Sequence, residues 1–411
     1  MTCLDASPPG SDRADRPAAR TVHFGWAVLA LAMGGFAIGT TEFVTMGLLP
    51  EIADGIDVSI PTAGHVISAY AVGVVVGAPV LAYVGAKLPR RALLIALMAA
   101  FAVGNLLSAV APTYTSLTVA RFLAGLPHGA YFGVASLVAA SLAPAGRKGR
   151  AVALVMLGLS IANVVGVPAA TWLGQNLGWR AAYWVVAALG VLTLSLVAAY
   201  VPSVPAEQGS SGRRELRAFT HVQVWLTLLA GAVGFGGLFA VYSYISPTIT
   251  EVGGLAASTV PWFLLAFGLG MTFGTWLAGE LADWSVFGSL LGAALGMALV
   301  LALFGVVAPA GWWALPVLFA ITAIGSVLVV NLQLRLMTVA GEAQTLGAAM
   351  NHASLNVANA LGAWLGGLVI AAGWGYRAPA WVGAGLSLLG FGVLLVSLRL
   401  HRRAPASVDA A

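Results

Sequence analysis

Apolar residues occur along this chain in long runs, and short polar segments separate the runs. A bilayer core about 30 Å thick needs about 20 consecutive apolar residues in a helix that crosses it. Most runs are uniformly apolar and lack the two-residue alternation of a strand, which favours helices over a lipid-facing barrel. The predicted transmembrane helices are 26–49, 64–85, 92–111, 116–141, 150–173, 179–201, 222–246, 258–281, 286–307, 312–336, 344–372 and 377–398. The pattern therefore predicts an all-α integral membrane protein of twelve helices.

Composition supports lipid as the solvent of this protein. Of the 411 residues 60% are hydrophobic and 8% are charged, whereas soluble domains carry roughly a quarter charged residues. The first run is too long for the core of a signal peptide, and no small-residue cleavage site follows it. We therefore expect it to remain as the first transmembrane helix.

The positive residues lie almost entirely in alternate loops. Sixteen of the 19 Lys and Arg fall on one side of the predicted membrane, two (Arg180 and Arg377) fall on the other, and Arg121 lies within a helix. Positively charged loops remain cytoplasmic. The distribution predicts a plasma-membrane (bacterial inner-membrane) protein whose two termini are both cytoplasmic. It also explains the net charge of +5 without a nucleic-acid partner.

The longest polar interruption, 201–220, divides the helices into two sets of six, and its Pro, Ser and Gly residues are typical of a linker. The words Ala162–Gly166 and Trp179–Trp184 recur in similar form about 196 residues later, which indicates duplicated halves. Two six-helix halves of the same topology are typical of parallel-repeat transporters, whose substrate site lies between the halves. The predicted divisions are a cytoplasmic tail 1–23, a six-helix bundle 24–201, a cytoplasmic linker 202–220, a second bundle 221–398 and a cytoplasmic tail 399–411.

Enzyme motifs are absent from the sequence. Neither of the two lysines, Lys87 and Lys148, is followed by Ser or Thr, so there is no phosphate-binding loop, and no His is followed by Glu as a zinc-protease helix requires. The word Gly209–Gly212 has the Gly-x-Ser-Gly pattern of an intramembrane protease, but it lies in the linker. One cysteine, Cys3, excludes internal disulfides and thiolate metal sites. We predict no enzymatic activity, no cofactor and no metal.

Two charged residues lie deep within predicted helices. Glu42 and Arg121 are roughly 10 Å and 8 Å from the same membrane face at 1.5 Å per residue. Charges at the centre of a membrane helix cost about 2.5–3.5 kcal/mol, and such residues usually serve a function. Protonation of a buried carboxylate removes much of its desolvation cost, so Glu42 is the candidate proton carrier and a direct or water-bridged pair with Arg121 is expected. A purely structural ion pair is the alternative.

Further polar residues accompany this pair. His128 shares a helix face with Arg121 and is either a proton relay or a packed core histidine. Pro168, which lacks a backbone donor, predicts a kink in the fifth helix beside Asn163 and Gly166. Polar stripes occupy the tenth and eleventh helices, and two tyrosines near the end of the seventh are interface anchors or cavity walls. The residues in these groups are Asn331, Gln333, Arg335, Asn351, His352, Asn356, Asn359, Tyr242 and Tyr244. From them we predict a substrate cavity that includes Asn163, Tyr242, Gln333 and Asn356.

Several short sequence motifs resemble those of a known family. The stretches Gly39–Pro50, Ser59–Ser68, Ala120–Gly129, Asn163–Pro168 and Gly178–Arg180 are similar to the major facilitator superfamily, in particular to its drug:proton antiporters and the AraJ-type sugar-efflux group. The resemblance implies a twelve-helix fold, alternating access around a central cavity lined by helices 1, 4, 7 and 10, and export driven by protons. It also implies proton transfer at Arg121, and an antiporter motif at Asn163, Gly166 and Pro168.

The loop after the second helix departs from the family pattern. This loop extends from Gly85 to Arg90 and Arg91, is shorter than usual and lacks the usual Asp. Only the copy in the second half retains that acid, as Asp283. The resemblance identifies these as conformational-motif residues.

The resulting hypothesis is a monomeric, proton-coupled exporter of a small polar or amphiphilic solute, either a sugar such as arabinose or a chloramphenicol-like drug. Its partners are then the solute, protons and the lipid bilayer. The alternatives are an uncoupled facilitator, in which Glu42 is dispensable, and a membrane enzyme or haem protein using His128 and His352.

Overall fold

The computed structural model describes residues 24–85, 88–144, 148–203, 220–340 and 344–403, and these residues form helices and connecting loops without a strand. The long helices are α1 (Phe24–Gly47), α2 (Ile60–Gly85), α3 (Arg90–Val110), α4 (Tyr114–Leu142), α5 (Lys148–Ile161, continued by Val167–Leu177), α6 (Trp179–Tyr200), α7 (Val222–Gly234, continued by Gly236–Tyr242), α8 (Val260–Trp284), α9 (Val286–Val307), α10 (Ala314–Val339), α11 (Gln344–Val369) and α12 (Ala378–Arg403). The predicted all-α membrane fold of twelve helices is confirmed.

Two of these helices are joined so closely that they form one apolar segment. Eleven segments of the described chain are long and apolar enough to cross a membrane, and one of them, Val286–Val339, has 54 residues. At 1.5 Å per residue such a helix would extend roughly 80 Å, far beyond a 30 Å bilayer core. The segment reverses at Gly311, whose backbone is non-helical (φ 62°, ψ −113°). It is therefore two crossings, α9 and α10.

An even number of crossings puts Phe24 of α1 and Arg403 of α12 on one side of the membrane, which we name the terminal face. The last helix continues to Arg403, five residues beyond the predicted end of the second bundle. Its final turn is basic, and cations are favourable at a helix C-terminus. The predicted tail 1–23, most of the predicted linker 202–220 and residues 404–411 lie outside the described residues.

Glycines allow corresponding helices of the two halves to pack closely. A Cβ added at Gly73 on α2 would overlap the carbonyl oxygen of Phe122 on α4, and one at Gly77 would overlap that of Leu126. In the second half, Gly270 and Gly274 on α8 meet the carbonyl oxygens of Phe319 and Ala323 on α10 in the same way. Each of these positions is 197 residues after its counterpart. Small residues permit such close approach in membranes, and the repeated contact supports duplicated halves.

The fifth helix is interrupted where Pro168 predicts. A π-helical turn, Ala162–Gly166, separates the two parts of α5, because the proline ring cannot donate to the carbonyl four residues earlier. A Cβ at Gly166 would overlap the hydroxyl of Thr40 on α1. Absence of that Cβ lets α1 approach α5 at the irregular turn.

The two halves meet mainly toward the face opposite the chain ends. Phe43 on α1 contacts Phe239, Tyr242 and Phe267 of the second half, with ring centroids 6.5, 5.8 and 5.9 Å away. The hydroxyl of Ser68 on α2 donates to the carbonyl of Ala360 on α11 (3.2 Å). These contacts join α1 to α7 and α8, and α2 to α11.

Candidate functional site

Glu42 lies on α1 where the two halves face each other, and it is 7% exposed. Glu42 lies within electrostatic range of Arg121 on α4, of Tyr70 on α2 and, from the other half, of Tyr242 on α7. The side-chain amide of Asn359 on α11 also faces the carboxyl, but neither of its polar atoms makes a hydrogen bond of ordinary geometry. Glu42 therefore joins groups from both halves at one point.

Arg121 is fully buried and its guanidinium is bonded mainly to the backbone and side chain of one residue. It donates to Oγ1 of Thr41 (3.0 Å) and to the carbonyl oxygen of Thr41 (3.2 Å). The guanidinium also lies 4.2 Å from the centroid of the Tyr70 ring and 5.4 Å from that of Tyr183, distances typical of cation–π contacts. Arg121 makes no direct ion pair with Glu42, because its terminal nitrogens donate to Thr41 instead. The expectation of a direct pair is therefore wrong, and that of a water-bridged pair stays a prediction.

Residues of the first half fix the acceptors of Arg121. The hydroxyl of Thr41 donates to Oδ1 of Asn105 on α3 (2.5 Å), and Nδ2 of Asn105 donates to the carbonyl of Phe101 (2.9 Å). Tyr183 on α6 is hydrogen-bonded to Thr45 (2.8 Å). Thr41 can therefore present its lone pairs to the guanidinium in one orientation only.

His128 lies seven residues after Arg121 on α4, closer to the terminal face, and is 3% exposed. Its Nδ1 is hydrogen-bonded to the hydroxyl of Tyr70 (3.1 Å), so Tyr70 connects the Arg121 and His128 levels. The ring of Phe132 lies 5.4 Å from His128 and is parallel to that of His352 on α11 (6.2 Å, 3° between planes). These four residues form an aromatic and histidine group that spans the two halves.

Buried asparagines lie on the second-half side of this region. Asn356 is 4% exposed and donates Nδ2 to the carbonyl of His352 (3.0 Å), leaving its Oδ1 without a partner. Asn359 is 1% exposed and has no partner at either polar atom. Buried polar groups are nearly always hydrogen-bonded. These amides are therefore candidates to bind a solute.

Tyr242 and Tyr244 are not interface anchors, because they are 1% and 0% exposed. The ring of Tyr242 stacks on Phe267 (3.7 Å), and its hydroxyl has no hydrogen-bond partner. Tyr244 donates to the carbonyl of Ala363 (2.7 Å). Tyr242 thus packs between the halves with a free hydroxyl, and its place in a substrate cavity stays a prediction, whereas Tyr244 fixes α11 against α7.

The other predicted cavity residues are more scattered. Asn163 is 1% exposed in the irregular turn of α5, donates Nδ2 to Leu159 (3.0 Å) and has an unpartnered Oδ1. Gln333 is half-buried near the terminal-face end of α10. Glu42 lies nearer the opposite face, so the two residues are at different depths. Its role in the cavity stays a prediction.

The conformational-motif residues lie near the terminal face. Gly85 ends α2 and contacts Leu93, and Arg90 begins α3. Arg91 donates to the carbonyl of Ala198 on α6, a contact within the first half. Asp283 is exposed at the end of α8. Their proposed part in conformational change remains a prediction.

Metal chemistry has no obvious site in the part of the chain described here, where no group of three His, Cys, Asp or Glu side chains converges. Sequence reasoning missed Thr41, Tyr70, Asn105 and Tyr183, which surround Arg121. Asn105 is an isolated amide within an apolar helix, and that isolation is the signal that would have identified it. Thr41 carries no comparable signal, because a threonine in a membrane helix usually bonds its own backbone.

Comparison with known proteins agrees with the fold. The family model described as Major Facilitator Superfamily matches residues 31–351. Inner membrane transport protein YdhP of Escherichia coli is 43% identical over 367 residues, 89% of this chain and 94% of that protein. The protein named AraJ of the same bacterium is 31% identical over 382 residues, 92% of this chain and 96% of that protein. A chloramphenicol resistance protein of Streptomyces lividans is 32% identical over 366 residues, 85% of this chain and 91% of that protein. The chain thus belongs to the major facilitator superfamily and is a multi-pass membrane transporter, not an enzyme.

Proposed function

We propose that the chain exports small polar or amphiphilic solutes in exchange for protons, and that Glu42 carries the proton. The observation that carries this proposal is the position of Glu42, a buried carboxyl between the two halves with no cation in ion-pair contact. A carboxyl in such a place is stable when protonated and becomes costly when ionised. Its ionisation state can therefore favour one arrangement of the halves over another.

Arg121 acts in this proposal as a fixed positive charge. Since its donors are directed at Thr41, the guanidinium stays in place when Glu42 gains or loses a proton. A nearby opposite charge favours the ionised form of a carboxyl, so Arg121 supports proton release from Glu42. His128, through Tyr70, is the candidate for proton transfer toward the terminal face.

Alternating access follows from the orientation that the loop charges predict. If the terminal face is cytoplasmic, the contacts around Phe43 and Ser68 close the external side. Export then requires these contacts to open while Glu42 exchanges its proton. A sugar such as arabinose and a chloramphenicol-like drug are both candidate solutes, and the similarity to a chloramphenicol resistance protein of Streptomyces lividans supports the drug.

Everted vesicles with an imposed inside-acid gradient test the proposal. A pH-sensitive dye is followed while arabinose, oligosaccharides and chloramphenicol are added in turn, in vesicles with wild-type protein and with Glu42→Gln. We expect a solute-dependent collapse of the gradient that is absent with Glu42→Gln. A gradient collapse of equal size in both preparations would disprove the role of Glu42. Solute movement without any change in the gradient would instead establish an uncoupled facilitator.

A further inference from the structure

One face of α11 is directed at the first half over two helical turns. His352, Asn356 and Asn359 follow the spacing i, i+4 and i+7, which puts them on the same side of a helix. His352 stacks on Phe132 of α4, and Asn359 faces Glu42 of α1. The two ends of this face are seven residues apart, about 10 Å at 1.5 Å per residue.

The polar atoms of this face are unusual because they are buried and unpartnered. Both polar atoms of Asn359 and Oδ1 of Asn356 lack hydrogen bonds, although the residues are 1% and 4% exposed. Residues three apart on a helix have Cβ atoms about 5–6 Å apart. The two amides can therefore meet two hydrogen-bonding groups separated by a few covalent bonds.

The ends of the face differ in chemistry. Toward the terminal face, the walls are the rings of Phe132, His352 and His128, which suit a flat aromatic group. The two terminal nitrogens of Arg121 already donate to Thr41 and only Nε lacks a partner. An anionic solute would therefore find most of the guanidinium engaged and would lie near the carboxyl of Glu42. A cationic solute would need the ionised carboxylate of Glu42 as its counter-ion. In the proposed cycle a proton already binds to that carboxylate.

We infer that the His352–Asn356–Asn359 face of α11 is a substrate-recognition surface that selects uncharged solutes about 10 Å long, each with an aromatic ring and at least two hydroxyl groups. The ring lies at the Phe132 end and the polar groups bond to the two amides. The inference rests on the proposed solute export and chooses the amphiphilic class over simple sugars.

Thiamphenicol and florfenicol form a matched pair of probes, because florfenicol has a fluorine in place of one hydroxyl of thiamphenicol and is otherwise identical. The full chain is reconstituted in proteoliposomes without a proton gradient, and exchange of radiolabelled thiamphenicol is competed with thiamphenicol, florfenicol and arabinose. We expect florfenicol to compete about 10-fold less well than thiamphenicol, as the loss of one buried hydrogen bond implies. Arabinose should not compete in the same range.

Variants of three asparagines on one helix locate the site. Asn356→Leu and Asn359→Leu should each weaken thiamphenicol affinity about 10-fold or more, and one of them should no longer distinguish the two probes. Asn351→Leu is the matched control, because Asn351 is also buried with an unpartnered amide but lies about 100° around the helix from His352. Its affinity should remain within about 2-fold of wild type.

Each contrary outcome is informative. Competition by arabinose but not by thiamphenicol, or no thiamphenicol exchange by the wild-type protein, would overturn the inferred solute class. Equal losses in Asn351→Leu and the other variants would show a structural effect. Unchanged affinity with an altered pH profile in Asn359→Leu would make Asn359 a positioning residue for Glu42. Thiamphenicol exchange without proton movement would leave the inference intact and refute the proposed coupling.

Discussion

At the scale of single residues, Arg121 acts on Glu42 by its charge but makes its hydrogen bonds to another residue. The guanidinium is near Glu42, but its hydrogen bonds go to Thr41. A buried arginine with its own acceptors avoids part of the cost of an unpaired charge. Its field then acts on the carboxyl while its position stays constant.

Thr41→Val tests this arrangement. The substitution keeps the shape of the side chain but removes one acceptor of Arg121 and the donor to Asn105. Hydrogen bonds to charged groups contribute about 1.5–3 kcal/mol, so we expect uphill transport to fall about 10-fold or more. Exchange of the same solute without a gradient should be less affected.

Thr40→Val is the control for that experiment. Thr40 is the preceding residue, and its hydroxyl donates to the carbonyl of Phe36 in its own helix (2.7 Å). Uphill transport by Thr40→Val should stay close to that of wild type. Equal losses in the two variants would mean that Thr41 has no special part in holding Arg121.

At the scale of helices, glycine positions decide how closely α2 and α4 approach. A Cβ at Gly125 would overlap the carbonyl oxygen of Tyr70, whereas one at Gly133 on the same helix would meet nothing within 4 Å. The residue that Gly125 admits, Tyr70, also contacts Arg121 and His128. Helix packing and the candidate proton path therefore depend on the same small residue.

Gly125→Ala should destabilise the protein by about 1–3 kcal/mol, because overpacking forces backbone shifts. Thermal unfolding in detergent, followed by near-ultraviolet circular dichroism, measures the effect, and Gly133→Ala provides the comparison. We expect a lower unfolding temperature for the first variant only. Matching temperatures for the two variants would contradict the close approach at Gly125.

At the scale of the whole molecule, the contacts between halves concentrate toward the face opposite the chain ends. Ser68 and Ala360 come from different halves and meet there. Since Cys3 is the single native cysteine, introduced pairs can be studied after Cys3→Ser without other thiols. Ser68→Cys with Ala360→Cys should form a disulfide under mild oxidation, because the two positions are adjacent.

That crosslink should stop transport if the halves separate at this face during the cycle. Activity should return on addition of a reducing agent, and the single variants should be insensitive to oxidation. Full transport by the crosslinked protein would mean that these contacts do not open. The outcome is read from solute uptake and from the electrophoretic mobility of a chain cleaved between the halves.

The pattern of residues predicted the membrane fold closely, because lipid imposes one rule on every crossing helix: about twenty apolar residues with all backbone bonds internal. The irregular turn before Pro168 followed similarly from a missing backbone donor. Predictions of this kind depend on local chemistry, which is fully present in the sequence.

Contacts between residues distant in the sequence were harder to predict from the sequence. A direct or water-bridged pair of Glu42 and Arg121 was expected because their depths agree. Depth alone does not determine which acceptors the guanidinium donates to. Tyr242 was read in two ways, since an aromatic residue near a helix end can be at the interface or in the core. Burial by helices from both halves excludes the interface reading, and the cavity reading stays a prediction.

The sequence by itself determined the twelve crossings, the division into halves and the presence of rare deep charges, since each of these is set by the cost of polar groups in hydrocarbon. Only the tertiary structure decided that Thr41 holds Arg121, that Tyr70 connects Arg121 to His128, and that Asn359 and the Oδ1 atom of Asn356 are buried without partners. The physical reason is that helix orientation about its own axis depends on packing against neighbours, and that information is spread over residues hundreds of positions apart.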